Sequence, residues 1–408
     1  MTSKHVRSGK VTLPALSLLA FMMAVGPFGD TEYTPAMPAM AKALHVDYGM
    51  VQFTMAAYLI GTALSQLCYG PLSDRYGRRP LMVAGAAILT AGAVLCMLSF
   101  SIWPLIGGRF VQGIGACAGG VIADAAVRDA FPSERRQRVY AKLNAAFALA
   151  PAVGPVVGAL VAHSLDWHYN FAILVALSAL LLILVWRYLP ETLPRRDSRA
   201  IDPRHLWRNA IKVLTTRGFL FYGALGGFCV GVVYTALIGA PALVLTSLGL
   251  GTVAIIIVAL AILIAFVAGA GGCALLTKRI SHLVIIAMGL AIILAASLTL
   301  LAVAIVVGKH GNLAEYLVPI AVCFVGVGMV VPVSTAKAMA PFKKTTGVAS
   351  SLLGFTRMGI AALGTLAMSL AHKGSVYDMP VVFLGLIGIA IAFFAGYLLV
   401  RGAAPARR

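Results

Sequence analysis

The sequence predicts an all-α membrane protein: twelve transmembrane helices in two pseudo-symmetric six-helix bundles. Three observations predict it. Of the 408 residues, 61% are hydrophobic and only 11% are charged, where a soluble domain is roughly 45–50% apolar and about 25% charged. So little polar surface cannot face water all round, which excludes a soluble enzyme, a disordered chain and a disulfide scaffold. The apolar residues fall into twelve long runs, and Lys and Arg alternate between the connections that join them.

A run of about 20 apolar residues crosses a bilayer as a helix. The runs are 12–33, 50–70, 80–99, 103–126, 140–162, 169–188, 218–245, 252–276, 282–307, 314–336, 346–371 and 378–400. The first carries no cleavage pattern and is read as a span. With sides numbered from the N-terminus, the first side receives 26 Lys and Arg and the second receives 3: Lys42, Lys309 and Lys373. The excess marks the first side as cytoplasmic, with both termini inside. The expected location is therefore a membrane whose first side faces the cytoplasm. The net charge of +19 is therefore a topology signal, and no nucleic-acid partner is expected.

The longest polar stretch, 189–217, contains Pro190, Pro194 and Pro203 and divides the chain six spans from six. It predicts an N-terminal bundle over 1–188, a cytoplasmic linker over 189–217 and a C-terminal bundle over 218–408. Two such halves are the layout of a transporter built from repeats. The stretch reads as plain linker, with a short interfacial helix through His205, Leu206, Trp207, Ile211 and Leu214 as the alternative. The six cysteines, Cys68, Cys96, Cys117, Cys229, Cys273 and Cys323, lie scattered in apolar runs with no paired spacing. No metal, disulfide or cofactor is expected of them.

Six ionisable residues in or beside the spans stand out: the acids Asp30, Glu32 and Asp124, and the bases Arg109, Lys337 and Arg357, which belong to neither side's count. Charge at membrane depth is costly unless paired or wetted, so these are the first candidates for function. Asp124 precedes Arg128 by four residues, the spacing of a helical ion pair. Lys337 is close enough to the end of its span to snorkel.

Between spans two and three the chain reads Gly70-Pro-Leu-Ser-Asp-Arg-Tyr-Gly-Arg-Arg-Pro80. Gly70 and Gly77 permit a tight turn. Asp74 is free to cap a helix or pair with Arg75, Arg78 or Arg79. This spacing resembles the signature loop of the major facilitator superfamily. Its counterpart in the second half, 275–283, keeps basic residues without the Asp or the glycines. Span five carries Pro151, Gly154, Pro155 and Gly158: a small-residue face for close helix contact and two prolines that free backbone carbonyls. Its Gly-Pro-x-x-Gly core resembles the antiporter motif of superfamily exporters. In span four, Arg109 and Gln112 stand in Gly107-Gly-Arg-Phe-Val-Gln-Gly113, about six residues or roughly 9 Å from its outer start. This is similar to the superfamily's fourth-helix motif, which implies an arginine facing the cavity and tuning the proton-carrying acid.

Read together, several pieces are similar to the bicyclomycin- and chloramphenicol-resistance (Bcr/CflA-type) drug exporters. They are Asp30 to Pro38, Tyr58 to Gly61 with Gln66, Arg128-Asp129 to Pro132, Trp167 to Phe171, Leu189 to Thr192, and Gly347 to Gly359. The likeness is dense in the first half and patchier in spans seven to ten. It departs at one point. Thr31 stands where that family has its first-span Asp, with Asp30 and Glu32 on either side. Each neighbour is rotated about 100° on a helix, so at most one of them faces where the family's Asp faces.

The resemblance implies a drug:proton antiporter, a monomer in the lipid bilayer that exchanges protons for a small-molecule substrate. Asp30, Glu32 and Arg109 are its expected proton-coupling group. The candidate substrate-binding residues are Tyr33, Tyr58, Gln66, Gln112, Tyr234 and Arg357. The expected switching elements are Gly70, Asp74, Arg75, Gly77, Arg78, Arg79, Asp129, Pro151, Gly154, Pro155 and Gly158. Arg109 and Arg357, from different halves, are expected together on a central cavity that prefers neutral or anionic compounds. Export or import of an organic anion such as a polycarboxylate siderophore is the alternative. No nucleophile–base pair, phosphate loop or metal cluster supports an enzyme.

Overall fold

A computed structural model describes residues 13–216, 218–342, 346–371 and 375–402. The expected cytoplasmic charges Lys4, Arg7, Lys10, Arg217, Lys343, Lys344, Arg407 and Arg408, and Lys373 on the other side, lie outside the described residues. Among the described residues there are fourteen α-helices. In the first half they are α1 (Leu16–Thr31), α2 (Met37–Ala43), α3 (Tyr48–Tyr76), α4 (Arg78–Met97), α5 (Ile102–Ala130), α6 (Ser133–Ser164) and α7 (His168–Tyr188). Then come α8 (Pro203–Leu214), α9 (Phe219–Pro241), α10 (Thr252–Leu276), α11 (His282–Val306), α12 (Leu313–Met339), α13 (Thr346–Ala371) and α14 (Asp378–Gly402).

Eleven of the described helices are long and apolar enough to cross a bilayer, α3 to α7 and α9 to α14. The first crossing is a broken one, in which α1 passes through a 3₁₀ turn, Thr34–Ala36, into α2. The break has local causes. Pro27 brings no N–H to α1, and Thr31 turns its Oγ1 back onto the Pro27 and Phe28 carbonyls at 3.1 and 3.2 Å. Thr34 Oγ1 then donates to the Thr31 carbonyl at 2.9 Å, and Pro35 starts the tighter turn. Asp30, Glu32 and Tyr33 sit at this break.

The two halves repeat their packing. In the first, α4 and α3 pack on α5, α1 on α6, and α4 on α7. In the second, α11 and α10 pack on α12, α9 on α13, and α11 on α14. The halves meet through α3 against α13 and α6 against α10, a pair of contacts related by the same repeat. These two seams frame the space between the bundles.

Two expectations need correction. The segment 70–80 is not a loop: α3 continues through Gly70 and Pro71 to Tyr76, and α4 starts at Arg78. Pro71 removes one helical N–H but stands on the cavity between the halves, where water can meet the carbonyl left free. Only Gly77, at φ +111°, makes the turn that an L side chain disfavours. The 189–217 stretch is also not plain linker. α8 forms within it, capped where the Asp202 side chain accepts from the Arg204 N–H at 3.0 Å, with Pro203 in the first turn.

Candidate functional site

A cavity of about 610 Å³ lies between the halves. It opens at the end that carries Asp74, Arg78, Asp197 and Leu206, and reaches inward to Asp30, Tyr58, Gln66, Tyr234 and Arg357. At the far end the halves are closed on each other. Gln52 Nε2 and Tyr48 Oη, on α3, both donate to the Ile238 carbonyl at 3.1 Å, and Ser369 on α13 donates to the Gly49 carbonyl at 2.5 Å. Ile238 is free to accept them for a backbone reason. Before the π-turn 242–247, the Ala242 N–H donates to Gly239 instead of Ile238.

A single hydrogen bond in water-excluded surroundings is worth about 1 kcal/mol net, so Gln52→Leu is expected to shift the balance towards opening at this end about fivefold. Spin labels at Asp47 and Tyr377 would report it as a larger population of long distances.

At the deep end of the cavity, Tyr234 Oη on α9 donates to Asp30 Oδ2 at 2.8 Å, joining the two halves. Asp30 lines the cavity; its Oδ1 is buried with no partner among the described residues. Glu32, 1% exposed, does not line the cavity, and neither of its carboxylate oxygens has a partner among the described residues. The two acids therefore point to different places, as the roughly 200° between residues two apart on a helix requires, and Asp30 is the one on the cavity.

Arg109 departs from its expectation. It is 0% exposed and is absent from the cavity wall. It lies on the side of α5 that faces the α1 break. Its guanidinium carbon stands 4.1 Å from the Tyr33 ring centre and 4.4 Å from that of Tyr58. It donates to the Gly29 carbonyl at 2.9 Å and to Gln112 Oε1, while Nε and Nη2 have no partner among the described residues. Flanking aromatic faces attract a desolvated cation by about 2 kcal/mol. Among the described residues no ion pair joins Arg109 to Asp30 or Glu32, although its charge acts on both. Tyr33 and Gln112 are likewise off the cavity. Tyr33 hydrogen-bonds Thr54 Oγ1 at 3.0 Å and packs at a tilt against Phe171, so both residues serve to hold Arg109.

Arg357 lines the cavity from α13. Its Nη2 donates to Thr335 Oγ1 at 2.8 Å and to Ser334 Oγ at 3.5 Å, and its Nε is buried without a partner among the described residues. Arg109 and Arg357 thus do not share the cavity. Thr335 and Ser334 were not singled out in the sequence; two adjacent hydroxyls inside an apolar span were the available signal. Asp124 and Arg128 both line the cavity and make no ion pair with each other. Lys337 stands exposed in the last turn of α12, off the cavity wall, as snorkelling requires.

Gly154 and Gly158 bear directly on the acidic break. A Cβ on Gly154 would strike Thr31 Oγ1, and one on Gly158 the Glu32 carbonyl oxygen. Both lie on one face of α6, whose helix continues through Pro151 and Pro155. Gly158→Val is expected to force α1 and α6 apart and to cost about 1–3 kcal/mol or more. A melting temperature in detergent well below that of the neighbouring substitution Val157→Ala would register it.

At the open end, Arg78 binds Asp74 Oδ1 at 2.6 Å, Asp129 Oδ2 at 2.8 Å and Ser73 Oγ at 2.5 Å. Arg75 lies 5.5 Å from the Tyr76 ring, and Arg79 donates to the Trp186 carbonyl at 2.6 Å. Asp74 does not cap α4. Glu191 does so, accepting from the Arg78 and Arg79 N–H groups at 3.0 and 3.3 Å. It reaches them from 113 residues away, which no local pattern encodes. Gly70 meets Ser351 of the other half, with room for a Cβ only at 3.1 Å. Among the described residues no cluster of His, Cys, Asp and Glu is placed to hold a metal.

A family model described as the Major Facilitator Superfamily matches residues 16–365. Multidrug resistance protein D of Escherichia coli (strain K12) is 32% identical over 372 residues, 88% of this chain and 89% of that protein. The multidrug transporter MdfA of Yersinia pestis is 33% identical over 194 residues, 48% of this chain and 47% of that one. Among solved structures, a D-xylose-proton symporter superposes with a TM-score of 0.74 at 14% identity, covering 93% of this chain and 97% of its own. A POT family transporter in complex with 5-aminolevulinic acid gives 0.76 at 14%, covering 96% and 97%. At such identities the superpositions speak for the twelve-helix fold. With the match across most of its length, the chain belongs to the major facilitator superfamily: it is a multi-pass membrane transport protein, not an enzyme.

Proposed function

We propose that this protein is a proton-coupled exporter of small amphiphilic compounds, working by alternating access in a bacterial inner membrane with both termini in the cytoplasm. The observation that carries the reading is the Asp30–Tyr234 hydrogen bond. It puts a titratable carboxyl from one half on the cavity and ties it to the other half. Protonation and the relative position of the halves then bear on one group, which is what coupling needs. Two further observations support it. Gly154 and Gly158 of the antiporter-like motif pack on the Asp30–Glu32 break. Relatives at about one-third identity are named as multidrug proteins.

In the state open to the cytoplasm, Asp30 gives up its proton to the cavity as substrate enters. Opening the far end requires Tyr234 to leave Asp30 and Ile238 to leave Gln52 and Tyr48. A proton entering there restores the neutral carboxyl and releases the substrate. The Asp74–Arg78–Asp129 group would govern switching between these states, not binding. Inverted vesicles with an imposed proton gradient test the reading: addition of a transported compound should dissipate the gradient. A gradient left intact while the compound still moves would refute proton coupling.

A second reading, movement of an organic anion, is favoured by Arg357, a fixed cation on the cavity wall. Siderophores and drugs tested in the same vesicles separate the two.

A further inference from the structure

Three rows of side chains run along α8. Leu206, Ala210 and Val213 turn towards the protein: Val213 is 1% exposed, and Leu206, with Asn209, lines the mouth of the cavity. Trp207, Ile211 and Leu214 face outward, 70%, 42% and 36% exposed. Beside them Arg204, Arg208 and Lys212 follow at i, i+4 and i+8, also on the outside. The helix packs on α9 and α13, both bilayer-crossing, and ends five residues before α9 begins at Phe219. It therefore lies at the level where the bilayer begins.

We propose that α8 is a docking surface for anionic phospholipid headgroups. Trp207, Ile211 and Leu214 enter the boundary of the acyl chains, and Arg204 and Lys212 hold phosphates beside them. An apolar row with an aromatic residue, flanked by a basic row, is the pattern of a helix lying in the interface. Charge selects the occupant. The 189–217 stretch carries seven basic residues against Glu191, Asp197 and Asp202. Of these acids, Glu191 is engaged in capping α4 and Asp202 in capping α8. The sequence of α8 itself contains no acidic residue, and anionic headgroups supply the negative charge that its basic row attracts.

Docking reaches the transport path. The same helix brings Leu206 and Asn209 to the cavity mouth, and the chain just before it is tied to the signature segment where the Asp197 N–H donates to the Asp74 carbonyl at 3.0 Å. A lipid-held α8 keeps one rim of the mouth in place.

The test uses full-length protein in vesicles of phosphatidylcholine and phosphatidylglycerol, with bromine quencher on one lipid or the other. The fluorescence difference between wild type and Trp207→Phe isolates Trp207, whose exposed site tolerates the change. Brominated phosphatidylglycerol should quench it more strongly than brominated phosphatidylcholine. In Arg204→Gln/Lys212→Gln that preference should fall by an order of magnitude or more, at roughly fivefold for each basic side chain near an anionic surface. Equal quenching by the two lipids would overturn the proposal, showing bilayer contact without headgroup recognition. No quenching of Trp207 by either would overturn it too, and would favour a soluble acidic partner. Neither readout involves a substrate, so the export reading stands or falls separately.

Discussion

Asp30→Asn is expected to abolish energised transport while leaving substrate binding within a few-fold. The substitution is selective because the amide oxygen of Asn can still accept the Tyr234 hydroxyl, now at 2.8 Å from Asp30 Oδ2. The tie between the halves survives and only the titration is lost. A carrier without a titrating group can still rock and equilibrate its substrate. It gains nothing from the proton gradient, so the accumulation ratio in vesicles should fall to about one. Tyr234→Phe is the complement, keeping the carboxyl and removing the tie. A hydrogen bond to a charged group is worth about 1.5–3 kcal/mol. The balance of states should then shift by one to two orders of magnitude, with coupling retained. The sealed carboxyl offers the rival. If Glu32→Gln loses coupling and Asp30→Asn keeps it, the proton belongs to Glu32.

Twelve spans, their six-and-six division and the signature segment were legible in the sequence. Each depends on local composition: apolar run length, alternation of basic residues and a short motif. The acids at the end of the first span were legible for the same reason, since charge in an apolar run is visible without a structure. Contacts between distant segments were not. Glu191 caps α4 from across the chain, and the Arg109 side chain is enclosed by Tyr33 and Tyr58. Which side of α5 an arginine takes depends on the faces that α1 and α3 turn towards it, and helix periodicity alone does not supply them. Asp124 and Arg128 have the spacing of a pair, but both face the cavity without pairing to each other, because a spacing permits an ion pair and solvent access competes with it. Gly70 was read as a turn residue, although a glycine within a helix also serves close approach, here to Ser351.

The enclosure of Arg109 reshapes the expected charge selectivity. With Arg109 sealed away, the deep cavity holds one cation among the described residues, Arg357, on a wall it shares with Asp30 and Tyr234. Thr335 and Ser334 hold Nη2 of its guanidinium, and the fixed positive charge stands on the cavity wall where a substrate would sit. A fixed cation in low dielectric attracts an anion and repels a cation far more strongly than it would in water. A charge-assisted hydrogen bond adds direction to that attraction. Arg357→Gln keeps a hydrogen-bonding side chain near Thr335 and removes the charge. Affinity for an anionic substrate should fall by about 1.5–3 kcal/mol, roughly ten- to a hundred-fold. A neutral compound of similar size should change only a few-fold. Monovalent cations such as ethidium should be poor substrates of the wild type and better ones of the variant, since the repulsion is gone while Asp30 remains. Uptake into inverted vesicles measured for one compound of each charge would read all three effects. Efficient ethidium transport by the wild type, unchanged in Arg357→Gln, would mean that Asp30 outweighs Arg357 in the cavity and would place the protein among broad multidrug exporters.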